Sequence, residues 1–96
     1  MRYKVVLTDF VRSQLSHYSP ALKLKLREAL DKLSEAPYSG KPLKDELEGF
    51  WRYRVLRYRI LYKVDGKRIE VLVLGIGRRD GVYDWFLKWV AENEKA

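Results

Sequence analysis

The chain has 96 residues, a formal net charge of +7, 47% apolar residues and no cysteine. That length holds one domain with one modest core, and the apolar fraction argues against disorder. The lack of cysteine excludes a disulfide framework and thiolate chemistry, and fits a reducing compartment. No apolar run approaches the roughly 20 residues that span a bilayer, and Met1 to Leu7 reads as a strand rather than a secretory leader. The expectation is a cytoplasmic protein in which residues 1–96 form a single domain.

In chain order, residues 2–7 alternate as a short strand. Thr8 or Asp9 can cap a helix running to about Tyr18, with Val11, Leu15 and Tyr18 on one face. Ser19-Pro20 restarts the chain as an N-cap followed by a first-turn proline. The second helix carries Leu22, Leu26, Ala29, Leu30 and Leu33 at helical spacing. Residues 37–42 form a turn-rich join inside the domain.

From Gly49 the period changes to two. Trp51, Tyr53 and Val55 face one way, Arg52 and Arg54 the other. A tight link at Leu56-Arg57 leads to a second strand, in which Tyr58, Ile60, Tyr62 and Val64 alternate with Arg59, Leu61 and Lys63. Asp65-Gly66 predicts a two-residue hairpin turn. Residues 68–76 are nearly all apolar, as in a strand buried on both faces in the middle of a sheet. Asp80 can cap a last helix with Val82, Phe86, Trp89 and Val90 on its apolar face and Trp85 beside it. The fold expected is α+β: an N-terminal strand, a two-helix hairpin, a three-stranded antiparallel meander and a C-terminal helix, with the helices packed on one face of the sheet.

The charge is unevenly spread. Arg52, Arg54, Arg57, Arg59, Lys63, Lys67, Arg68, Arg78 and Arg79 face only Asp65 and Glu70 within residues 52–79, so this stretch holds the whole excess of +7. Seven of its nine bases are arginine, whose planar fork takes phosphate oxygens in pairs. A polyanion partner follows, nucleic acid first. Alternation puts Arg52 and Arg54 on one sheet face. Arg59 can stand beside them, Arg78 and Arg79 follow the last strand, and Tyr83 falls in the first turn of the last helix, where the helix dipole favours anions.

Metal-free RNA cleavage uses the ribose 2′-hydroxyl as nucleophile and needs charge stabilisation at the phosphorane together with a proton acceptor and a proton donor. Arginines supply the first and are poor bases; Tyr83 is the best-placed candidate for proton transfer. The competing readings are plain ones. Arginines on a strand face can be simply solvated, Tyr83 can be a packing residue, and Trp51, Tyr53, Tyr58 and Tyr62 suit a core better than base stacking. His17, the sole histidine, sits late in the first helix and suits its surface. No metal cluster, catalytic triad or phosphate loop is present.

Three stretches together carry a resemblance. Pro42-Leu43, Gly49 and Trp51-Arg52-Tyr53-Arg54-Val55 form the first, Tyr58-Arg59-Ile60 with Tyr62 and Val64 the second, and Val71 to Gly77 with Arg78-Arg79 and Val82-Tyr83 the third. In this order they resemble the RelE/ParE toxin superfamily over nearly the whole chain. The resemblance implies a RelE-like fold, no cofactor and a cognate antitoxin that wraps the toxin; from the residues themselves, no metal and no membrane partner are expected. RelE-like members cut mRNA in the ribosomal A site; ParE-like members inhibit DNA gyrase. Residue by residue, it implies catalytic roles for Arg52, Arg54, Arg59, Arg79 and Tyr83, and the basic stretch adds Arg57, Lys63 and Arg78 as RNA contacts. All five catalytic positions hold a suitable residue type, which favours the mRNA endonuclease branch acting on the ribosome. Three departures stand out: Leu56-Arg57 replaces a common Gly-Asp turn, arginine replaces lysine at 52 and 54, and no histidine lies beside Tyr83.

Overall fold

The computed structural model describes residues 2–93, apart from the side chain of Asp80. Its strands are β1 (Lys4–Leu7), β2 (Lys41–Pro42), β3 (Trp51–Val55), β4 (Tyr58–Asp65) and β5 (Glu70–Arg78). Its α-helices are α1 (Asp9–Ser16), α2 (Pro20–Glu35) and α3 (Arg79–Asn93), and two 3-10 turns, Pro37–Ser39 and Asp45–Leu47, flank β2. The sheet has the order β1-β5-β4-β3-β2. β1 is parallel to β5, and the other neighbours are antiparallel. Among the described residues no helix is long and apolar enough to cross a membrane.

Local chemistry sets the helix starts as expected. The Thr8 hydroxyl accepts from the Val11 N–H at 3.2 Å and that of Ser19 from the Leu22 N–H at 3.3 Å, so each satisfies one of the amides a helix N-terminus leaves free. Pro20 occupies the first turn of α2, where its missing N–H costs nothing. α1 ends at Ser16, two residues before Tyr18, because the His17 N–H turns back to the carbonyls of Gln14 and Leu15. α3 begins at Arg79, so Asp80 lies inside it and not at its cap position; the capping role expected of its side chain falls outside the described residues.

The helices lie on both faces of the sheet, which corrects the expectation of one face. Val11 of α1 and Leu26, Ala29 and Leu33 of α2 share one cluster with Val55, Ile60, Tyr62, Val71, Val73 and Ile76. Val82 and Phe86 of α3 share another with Leu47, Phe50, Leu61 and Leu74. The interior strand β5 is apolar from Val71 to Gly77 because each of its faces has a helix to bury it.

A bulge makes the second face possible. Leu61 pairs with Gly75 but Tyr62 pairs with Val73, so Leu74 is an extra residue that shifts the alternation. Gly75 and Gly77 thereby face α3. A Cβ at Gly75 would run into the Trp85 ring, and one at Gly77 would come to 2.7 Å from Val82 Cγ2. Glycine at both positions lets the last helix lie close to the sheet.

Two turns also differ from expectation. The β4–β5 connection is not a two-residue turn: Asp65 pairs with Glu70, leaving residues 66–69 as the loop. The Asp65 carboxylate accepts from the N–H groups of Lys67 and Arg68, both at 3.0 Å, and Ile69 takes a left-handed φ of 56°. The short side-chain acceptor reorganises the backbone two residues on. Residues 37–42, read as a join, supply a fifth strand: Lys41 pairs with Arg52 and Pro42 with Trp51. A proline is tolerated there because β2 is the sheet edge.

Candidate functional site

The alternation in β3 is realised as expected. Val55 is buried in the α2-side cluster with Trp51 and Tyr53 packed against it, while Arg52 and Arg54 lie on the other face. Register then brings the arginines together. Arg54 pairs directly with Arg59, and Arg59 pairs with Gly77 on the other side. Because Gly77 has no side chain, the space above this row is left to Val82 at the start of α3 and to the arginines themselves.

The result is a cleft of about 770 Å³ whose lining includes Arg52, Arg54, Arg59, Arg79 and Tyr83. A second cleft of about 310 Å³, lined by Arg54, Arg57, Arg59, Arg78 and Arg79, shares three arginines with it. All five candidate catalytic residues therefore meet in one place, with Arg57 and Arg78 alongside. Lys63 does not join them. It lies four residues beyond Arg59 on β4, about 13 Å at the rise of a strand, with its Nζ 5.5 Å from the Phe50 ring centre. His17 is far from the cleft in role as well as sequence: it is exposed, and its Nδ1 is bonded 2.8 Å from the Ser13 carbonyl.

Sequence reasoning missed Lys41, which also lines the cleft with Ser39 and Gly40. The available signal was a lysine next to glycine just before Pro42-Leu43, in a stretch with turn chemistry. Its pairing with Arg52 puts its side chain on the arginine face, since directly opposed residues point the same way.

Arg59 is the most unusual of these residues. It is only 5% exposed, its Nη1 donates to the Tyr58 carbonyl at 3.3 Å, and its Nε has no hydrogen-bond partner among the described residues. The ion pairs found among the described residues, Arg2 with Glu35 and Lys25 with Glu28, lie elsewhere. A guanidinium keeps its charge, and a buried charge without a counter-ion is costly. Neighbouring arginines deepen that cost, since like charges opposite one another repel. An incoming anion with several oxygens relieves both penalties at once.

Comparison with known proteins identifies the family. The family model for the ParE toxin of the type II toxin-antitoxin system parDE matches residues 7–83. A curated relative, toxin RelG of Mycobacterium tuberculosis, is 34% identical over 85 residues, covering 86% of this chain and 98% of the relative. Among solved structures, the toxin-antitoxin complex RelBE2 of M. tuberculosis superposes with a TM-score of 0.76 at 33% identity, over 82% of this chain and 100% of that one. A mutant of the E. coli toxin RelE in the free state gives the same TM-score at 19% identity, over 94% and 99% of the two chains, a likeness of fold alone. With the family model spanning most of its length and a toxin relative at one-third identity, the chain belongs to the RelE/ParE family of toxins of type II toxin-antitoxin systems.

Proposed function

We propose that this toxin is a ribosome-dependent mRNA endonuclease that cuts without a metal, by attack of the ribose 2′-hydroxyl on the adjacent phosphorus. The observation that carries the reading is Arg59, a nearly buried cation whose Nε has no partner among the described residues, in a cleft it shares with Arg52, Arg54, Arg79 and Tyr83. In this reading the scissile phosphate sits over Arg59 and Arg79, whose donors stabilise the charge that builds up on the phosphorane. Arg52, Arg54, Arg57 and Arg78 hold the flanking backbone, and Tyr83 on α3 is the proton acceptor for the 2′-hydroxyl. Lys63 is too far along β4 to join the reacting phosphate, and contributes to longer-range attraction only.

The partner set follows: ribosome and mRNA as targets, and a cognate antitoxin as inhibitor. The relatives solved as toxin-antitoxin complexes support the antitoxin. A partner with acidic side chains would be drawn to the cleft by its charge.

The test is incubation of the protein with ribosomes carrying a defined mRNA, followed by mapping of the new RNA ends. The expected products end in a 2′,3′-cyclic phosphate and begin with a 5′-hydroxyl. The name of the matching family model, a ParE toxin, favours one competing reading, inhibition of DNA gyrase. Intact mRNA together with a block in gyrase supercoiling would replace the first reading by the second.

A further inference from the structure

The cleft is rich in charge and poor in transferable protons. A guanidinium holds its protons too tightly to give one to a leaving group, so the four arginines of the cleft, though suited to bind phosphate, cannot finish the reaction. Lys41 differs. It is the one lysine among the residues lining the cleft, and an ammonium can donate a proton and recover it from water.

Its position is built rather than incidental. Tyr62 is fully buried; its hydroxyl donates to the Pro37 carbonyl at 2.8 Å and accepts from the Gly40 N–H at 3.2 Å. This clamp fixes the backbone immediately before Lys41. Gly40 can have no side chain there, since a Cβ would overlap the Arg52 carbonyl and the Tyr62 hydroxyl. β2 then pairs with β3, setting Lys41 opposite Arg52 on the cleft face.

The order of the sheet gives the cleft two sides. Lys41 stands on the β2 edge, Arg52, Arg54 and Arg59 form the floor on β3 and β4, and Arg79 and Tyr83 come from α3 after β5. Phosphoryl transfer from O5′ to the 2′-oxygen is in line: the entering and leaving oxygens occupy opposite sides of the phosphorus. A base and an acid are therefore needed on opposite walls. The other proton-bearing side chains of the lining are less suited. The Ser39 hydroxyl donates to the Ala36 carbonyl at 2.7 Å, and Tyr53 packs against the core on the far face.

We infer that Lys41 is the general acid of this site, donating a proton to the 5′-oxygen that leaves. The inference rests on the endonuclease reading above. In the step, the 2′-hydroxyl proton passes to the Tyr83 oxygen in its deprotonated form and the O2′–P bond forms. The P–O5′ bond breaks, and the Lys41 ammonium protonates O5′, becoming an amine that solvent recharges. No oxidant or further reactant is required.

The experiment replaces the bridging 5′-oxygen of the cut linkage by sulfur in a ribosome-bound mRNA. A thiolate leaves without a proton, so the acid becomes dispensable. Lys41→Ala and Lys41→Arg are each expected to slow cleavage of the oxygen substrate by about 10²–10⁴-fold, the usual weight of general acid catalysis. Both are expected to recover to near the wild-type rate on the sulfur substrate. Arg59→Ala should stay slow on both, because phosphorane charge must be stabilised in either case. Wild-type speed of Lys41→Arg on the oxygen substrate would reduce Lys41 to a point charge and overturn the proposal, as would an equal loss on both substrates by the Lys41 variants. Both results leave the endonuclease reading standing. If the wild type cuts neither substrate, that reading falls and the role of Lys41 with it.

Discussion

Arg54 and Arg59 are direct cross-strand partners on β3 and β4, two like charges opposed on the floor of a cleft where Arg59 is 5% exposed. Stability and function pull apart at such a pair. Replacing Arg59 by methionine, a flexible apolar side chain, removes the repulsion and the unpartnered Nε. The expected gain is about 1 kcal/mol in denaturant unfolding, at the lower end of what replacing buried charges yields. Cleavage of ribosome-bound mRNA by Arg59→Ala should fall about 10²–10³-fold. Arg79→Ala, at an exposed position, should lose activity similarly while leaving stability unchanged. Near-wild-type rates for both alanine variants would remove these arginines from the chemistry.

Tyr83 is half-buried and packs against the cluster of Leu47, Phe50, Leu61, Leu74, Val82 and Phe86 while lining the cleft. Tyr83→Phe keeps that packing and deletes only the hydroxyl. The expectation is an unchanged unfolding midpoint and a cleavage rate reduced about 10²-fold or more, the scale of general base catalysis. Full activity in Tyr83→Phe with loss in Tyr83→Ala would assign stacking on a base instead; full activity in both would leave Tyr83 a packing residue.

Six arginines around two adjoining clefts predict binding driven by counterion release. The affinity for single-stranded RNA should fall with salt at a log–log slope of about −0.7 for each phosphate neutralised. Titration between about 50 and 200 mM salt, the range where such losses are large, measures it. A flat response contradicts an arginine-driven site.

Burial pushes the Tyr62 phenol up from 10.0 to about 12; the Gly40 N–H bond to its oxygen opposes the shift, and Tyr53 adds to it. The folded state holds this proton more tightly than the unfolded chain does. The contribution is therefore complete below pH 10 and is lost as pH rises towards about 12. Two units correspond to about 2–3 kcal/mol. Tyr62→Phe should cost about 1–3 kcal/mol at neutral pH, since the Pro37 carbonyl and Gly40 N–H lose their partner, and should flatten the alkaline decline. An equally steep decline in the variant would place its origin elsewhere.

Leu56 opens the two-residue β3–β4 turn with φ 55° and is 61% exposed. A left-handed conformation costs a residue with a Cβ about 1–2 kcal/mol, whereas glycine adopts it freely at an entropic cost of roughly 0.5–1 kcal/mol. Leu56→Gly should therefore raise stability by up to about 1 kcal/mol in denaturant unfolding without altering the fold. A clear loss of stability would mean that the Leu56 side chain has contacts that matter more than its backbone strain.

Local rules were enough for much of this protein. Period-two alternation from Trp51 to Val55 assigns the arginines and the aromatics to opposite faces before any partner strand is known, because successive side chains of a strand must point apart. Thr8, Ser19 and Pro20 mark helix starts because a helix N-terminus needs acceptors within a few residues. The family pattern runs through the Trp51 to Val55 stretch as well.

Tertiary structure alone decided how the cleft closes. Whether α3 joins α1 and α2 or takes the opposite face depends on where buried area is still to be gained, and that is a property of the whole sheet. The extra residue at Leu74 turns Gly75 and Gly77 towards α3, a shift that alternation read along β5 cannot show because the bulge is defined by the partner strand. Lys41 reaches the site only through pairing with Arg52, and its strand is held by a phenol 22 residues away from Gly40. Contacts of that separation depend on the packed core that brings Tyr62 and Gly40 together, so no window of sequence contains them.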